Sequence, residues 1–160
     1  MRRGIKIILS CGLILAASEA TAAIQVVDGD SLADGDMRIR LEGIDAPEFT
    51  QMCEDENKQE YACGQAASDH LRQLIEGIEP DCRCENKDKY NRLLCECFIG
   101  EMSLNRQMVA DGWAMQYRSE RFNAEEERAT AERKGLWQGK FMRPALHRVL
   151  ERLRLAGKIR

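Results

Sequence analysis

Four cysteines of this 160-residue chain stand as two mirrored pairs, Cys82-Arg83-Cys84 and Cys95-Glu96-Cys97, on either side of Lys89-Tyr90. That symmetry limits what the intervening chain can do. If the two segments fold as an antiparallel hairpin, Cys82 faces Cys97 and Cys84 faces Cys95. Residues two apart on a strand share a face, so both bonds can form side by side. The strands would run from Ile78 to Glu85 and from Leu93 to Ile99, joined by a wide loop that carries Arg92. The remaining pair, Cys53 and Cys63, would close the polar, acidic loop that begins at Gln51. A four-cysteine zinc site is the competing reading, against which stand the CxC spacing and an oxidising compartment.

The compartment is read from the first 22 residues. Arg2, Arg3 and Lys6 make a basic start, Ile7 to Ala17 an apolar run, and Ala20-Thr21-Ala22 a small-residue cleavage site, the pattern of an export signal. The apolar run falls short of the roughly 20 residues needed to span a bilayer. Acylation of Cys11 is a weaker alternative. Removing this segment takes Arg2, Arg3, Lys6 and Glu19 from the 24 basic and 27 acidic residues, leaving 21 against 26 and a net charge of −5. Nucleic-acid affinity depends on Lys and Arg contacts to phosphate, so a chain of this balance is a poor blanket polyanion binder and any such contact must be a local basic site. Residues 23–140 are expected to form one domain, followed by a separate tail at 141–160.

Short β-type runs at Ile24–Val27, Ser31–Ala33 and Met37–Ile44, with Asp34-Gly35 as a hairpin turn, predict three strands near the start. Helical spacing follows from Ala62 to Ile75, stopped at Gly77. Ser103 is placed to cap a helix through Leu104, Met108 and Val109 that ends at Gly112, and Glu125 to Lys134 reads as a charged helix. Early strands, later helices and a helix between the third and fourth strands predict an α+β fold, most economically a five-stranded barrel with three α-helices.

Asp30, Arg40, Asp45, Glu48 and Arg92 carry the chemistry. Two carboxylates suit a hard cation, a third can activate water, and two guanidiniums can grip a phosphate. Each motif has a plain alternative. Asp28-Gly29-Asp30 is also a common tight turn, Asp45-Ala46-Pro47-Glu48 a common strand end, and Arg38 and Arg40, alternating with Met37, Ile39 and Leu41, also a solvated strand face. Their coincidence in one short span favours a site.

Val27 to Ser31, Arg40 to Glu48, Asp88 to Arg92 and Gly135-Leu136-Trp137 resemble the staphylococcal nuclease family, in the same order and at similar spacing, from about Ile24 to Trp137. The resemblance implies an oligonucleotide-binding (OB) fold, a calcium ion, and cleavage of DNA and RNA, the substrate single-stranded or frayed. By position, Asp30 and Asp45 are similar to the side-chain calcium ligands and Ala46 to a backbone ligand. Glu48 is similar to the general base, and Arg40 and Arg92 to the phosphate-holding arginines. Lys89 and Tyr90 resemble contacts to a terminal phosphate, and Tyr117 a base-stacking residue. Ala46 departs from the family's Thr and Asn91 from its Gly; Asn tolerates the left-handed backbone that a Gly there implies.

In the tail, Leu146, Val149, Leu150 and Leu153 recur at helical spacing while Arg143, Arg148, Arg152, Arg154, Lys158 and Arg160 make the other face basic. A surface helix on the barrel, a nucleic-acid tether and a contact with an anionic membrane are the three readings. The whole is expected to be an exported, calcium-dependent, monomeric nuclease without a stable protein partner. A binding module that kept the barrel but lost turnover is the alternative.

Overall fold

A computed structural model describes residues 24–159; the expected export signal at 1–22 lies outside the described residues. Three antiparallel strands open the fold, β1 (Gln25–Asp28), β2 (Ser31–Asp34) and β3 (Met37–Leu41). The expected Met37–Ile44 strand is interrupted at Gly43, whose φ of +78° is a left-handed conformation that glycine adopts without strain. Beyond it β4 (Ile44–Asp45) heads in a new direction. A small hairpin, β5 (Cys53–Glu54) and β6 (Glu60–Tyr61), leads into helix α1 (Cys63–Ile75).

Strands β7 (Asp81–Lys87) and β8 (Leu93–Ile99) form the cysteine hairpin, and β9 (Met102–Ser103) turns back on β8. Ser103 caps α2 (Leu104–Ala110) by accepting from the Arg106 amide, as its position predicts. Strand β10 (Met115–Gln116), α3 (Asn123–Ala131), a 3-10 turn at Gly135–Gln138 and α4 (Pro144–Leu155) complete the chain.

The class is α+β, as expected. The main sheet pairs in the order β1-β2-β3-β8-β7, antiparallel except for the parallel β3·β8 contact. Strand β4 leaves this sheet to pair with β10. The core lies between the sheet and α1 and α2. Leu32, Leu41, Leu71, Leu104, Met108 and Val109 are fully buried in it. Buried Asn105 ties the layers together by donating to the carbonyls of Glu42 and Cys95 and accepting from the Cys97 amide, at 2.9, 3.0 and 3.1 Å.

All six cysteines of the described chain are bonded, Cys82 to Cys97, Cys84 to Cys95 and Cys53 to Cys63. The first two pairs face each other across the β7·β8 ladder in the mirrored register. No thiolate is left to hold zinc there. Beyond Cys84 the ladder has a bulge, which leaves the Cys84–Cys95 bond as the last covalent tie before the 88–92 loop. Replacing Cys84 and Cys95 together by Ala is expected to destabilise the fold by about 2–4 kcal/mol, read as a lowered urea midpoint. An unchanged midpoint contradicts this.

Candidate active site

Strand register assembles the site. Arg40 pairs with Ser31 on one side and Leu94 on the other, so it sits next to Asp30 at the head of β2 and near Arg92 at the head of β8. Its Nη1 donates to Asp30 Oδ1 at 2.6 Å and its Nη2 to Asp45 Oδ1 at 2.8 Å and to the Ile44 carbonyl at 3.2 Å. Strand alternation turns Arg38 and Arg40 alike away from the core; of the two, Arg40 is covered by the acids and its side chain is 12% exposed, while Arg38 remains in solvent. Asp30 accepts further bonds from the Ser31 hydroxyl and the Ala46 amide, both at 2.9 Å.

Glu48 lies on the loop that follows β4. The start of α1 presses against that loop: a Cβ on Gly64 would lie 1.7 Å from the Glu48 carbonyl oxygen, a distance only glycine permits. Gln51 fixes the other side. Its amide donates to the Glu48 carbonyl at 2.7 Å, its own carbonyl accepts from Gly64 at 3.2 Å, and its Nε2 donates to the Met142 carbonyl at 2.7 Å. The Glu48 loop is thereby clamped between α1 and the segment that enters the tail.

Arg92 is aimed by Asp88, which opens the motif segment but has no role in the motif reading. Asp88 Oδ1 accepts from the amides of Tyr90 and Arg92 at 2.9 and 3.0 Å, and Oδ2 takes Nε and Nη2 of Arg92 at 2.8 and 2.7 Å. Burial raises the Asp88 carboxyl, but those donors outweigh it and hold it below its usual range. Asn91 has φ +64°, the left-handed backbone expected of it. The bonds of Arg92 go to Asp88, and none joins it to Asp30, Asp45 or Glu48. It does line, with Arg40 and Glu48, a single cleft of about 1250 Å³ whose walls also include Lys89, Tyr90 and Tyr117. Tyr90 is 62% exposed there. Tyr117 is half-buried, and its amide is held by the Gly43 carbonyl at 2.8 Å.

The fourth wall of the cleft is α4. Arg148, which the sequence shows only as one of many basic tail residues, donates from Nη1 to Glu48 Oε1 at 2.7 Å and from Nη2 to Asp45 Oδ1 and Oδ2 at 2.8 and 3.0 Å. Burial opposes its charge, but the bonds to Glu48 and Asp45 outweigh it and hold the guanidinium firmly protonated.

Burial is decisive at Asp30, which is 2% exposed. It pushes the carboxyl from its ordinary 3.8 up to about 6 despite the adjacent Arg40. Burial also opposes the charge on Arg40, yet Asp30 and Asp45 together hold that guanidinium more firmly protonated than usual. At Asp30 burial outweighs the attraction of Arg40, and the nearby charge of Asp28 raises the carboxyl further.

The donor chemistry fits a hard cation. Asp30 and Asp45 are buried carboxylates brought together on one guanidinium, and among the described residues no set of three His, Cys, Asp or Glu side chains converges to hold a metal. Two carboxylates leave the rest of a calcium shell to carbonyl, water and substrate oxygens, as an open site requires. His70 instead pairs with Asp111 at 2.8 Å.

A sheet of this order, with acids and arginines gathered on one cleft, is the architecture of a nuclease-like OB protein. The family described as Staphylococcal nuclease homologue matches residues 38–139, and the chain belongs to that family. It is similar to the succinoglycan biosynthesis protein ExoI of Rhizobium meliloti, 32% identical over 103 residues, which are 62% of this chain and 53% of that protein. It is similar to the thermonuclease of Staphylococcus intermedius, 31% identical over 96 residues, 56% of this chain and 55% of that one. With the thermonuclease of Staphylococcus hyicus it shares 26% identity over 141 residues, 80% of this chain and 81% of that one. The chain thus spans about half the length of the first two relatives.

The raised Asp30 pKa has a signed consequence. The folded chain binds this proton more tightly than the unfolded chain, so Asp30 favours the fold most below the ordinary 3.8 and loses that contribution as pH rises through about 6. In chelator-treated protein, the stability of wild type minus that of Asp30→Asn is expected to fall by up to about 3 kcal/mol between about pH 4 and about pH 7, measured by urea unfolding at each pH. A difference independent of pH contradicts it.

Proposed function

We propose that this chain is an exported, calcium-dependent endonuclease that hydrolyses phosphodiester bonds of DNA or RNA. The observation that carries the reading is the convergence of Asp30 and Asp45 on Arg40, with Glu48 and Arg92 on the same cleft. Family membership supports the reaction class, and three disulfides support an oxidising compartment.

Asp30 and Asp45 would hold the calcium ion, with the Ala46 carbonyl as a backbone ligand. When bound, such an ion neutralises phosphate charge and favours attack by water. Glu48, clamped by Gly64 and Gln51, takes the proton from the attacking water. Arg40 and Arg92 grip the phosphate oxygens, whose charge grows in the transition state, so these contacts strengthen as the reaction proceeds. Asp88 keeps Arg92 in one orientation, which spares the side-chain entropy of finding it. Lys89 and Tyr90 meet a neighbouring phosphate and Tyr117 offers a ring on which an unpaired base stacks.

Digestion of denatured DNA in calcium or in chelator tests this. Cleavage is expected only with calcium, and Glu48→Gln is expected to reduce it by about 10²- to 10⁴-fold while DNA binding persists. Binding without cleavage by the wild type at any calcium concentration contradicts the enzyme and supports a binding module. Cleavage undiminished in Glu48→Gln contradicts the assignment of the base.

A further inference from the structure

The tail helix is attached to the body in an unusual way. Of α4 only Pro144 is buried, while Leu146, Val149 and Leu155 are 51%, 41% and 85% exposed. Its entry is firmly tied: Lys140 bonds Glu54 through both backbone groups, at 2.8 and 3.0 Å, and Gln51 holds the Met142 carbonyl at 2.7 Å. Past that anchor, among the described residues, the polar contacts from α4 to the body are those of Arg148 to Glu48 and Asp45. A helix with so small an apolar contact relies on its ion pairs, and a partly exposed pair is a modest restraint.

The same contacts close the site. Asp45 Oδ1 is shared by Arg40 and Arg148, and Oδ2 accepts from Arg148. Both oxygens of this carboxylate are therefore occupied. Glu48 Oε1 accepts from the same guanidinium at 2.7 Å, so that oxygen is occupied as well.

We infer that α4 is an autoinhibitory latch, in which Arg148 occupies the cation ligand Asp45 and the base Glu48 and must swing away, with the helix pivoting beyond Met142, before cation and attacking water take their places. The inference rests on the roles proposed above for Asp45 and Glu48. Cation binding and latch closure exclude each other, and by linkage each opposes the other by the same factor. A polyphosphate substrate favours release in the same direction, because Arg148 and Arg152 line the cleft it enters.

Three measurements on the full chain test it: amide hydrogen exchange across Leu146 to Leu155, calcium affinity by calorimetry without nucleic acid, and cleavage at subsaturating calcium. In Arg148→Ala, exchange across α4 is expected to accelerate and calcium to bind on the order of tenfold more tightly, with faster cleavage at limiting calcium. In the wild type, saturating calcium is expected to accelerate α4 exchange as the variant does. Arg154→Ala, whose side chain pairs among the described residues with Glu151 on the helix itself, is expected to match the wild type in exchange and affinity.

If α4 exchange is unaffected both by Arg148→Ala and by calcium, the latch is wrong, whether or not the protein cuts DNA. Slower cleavage by Arg148→Ala with no gain in calcium affinity also overturns it, and makes Arg148 a phosphate-binding residue instead. If neither protein cuts DNA, the nuclease reading fails, and the exchange comparison still decides the latch.

Discussion

One guanidinium shared by two buried carboxylates is the constraint on which the rest of the site depends. Asp30, in the turn before β2, and Asp45, in β4, would repel each other in a desolvated pocket; Arg40, bonded to both at 2.6 and 2.8 Å, holds them together. It can do so because β3 lies between β2 and β8, which sets Ser31 against Arg40 on one side and Leu94 on the other. The left-handed turn at Gly43 then redirects the chain so that Asp45 returns toward the same guanidinium. The sheet order is thus what sets Arg40 and Arg92 on one cleft, with Asp30 and Asp45 buried behind Arg40.

The electrostatics of the molecule follow the same division. The whole chain is acidic at net −3, yet the cleft is lined by seven Lys and Arg residues, among them Arg40, Lys89, Arg92 and Arg148, against the five acids Asp28, Glu42, Glu48, Asp88 and Glu151. A concave cationic patch on an acidic body focuses its field where a polyanion must enter and repels it elsewhere.

Much of this was legible in the sequence because the signals are local. Alternation and the Asp34-Gly35 turn mark the first strands, the mirrored CxC pairs mark the β7·β8 register, and Ser103 marks a helix start. What was not legible depends on contacts distant along the chain. Arg38 and Arg40 alternate alike, and only the approach of Asp30 and Asp45 to Arg40 separates the two. Asp88 looks like ordinary loop polarity until its carboxylate is seen to gather two amides and Arg92. Arg148 is separated from Asp45 by 103 residues, and no periodicity distinguishes it from the other arginines of a basic helix. The break of the third strand at Gly43 was visible as a glycine, but β-pattern residues on both sides concealed it.

The central claim is that Asp30 and Asp45 form a cation site, and calorimetric titration of calcium into the wild type, Asp30→Asn and Asp45→Asn addresses it most directly. A single site in the wild type that is lost or strongly weakened in both variants is the result this account predicts. Equal stoichiometry and affinity in all three proteins would contradict it.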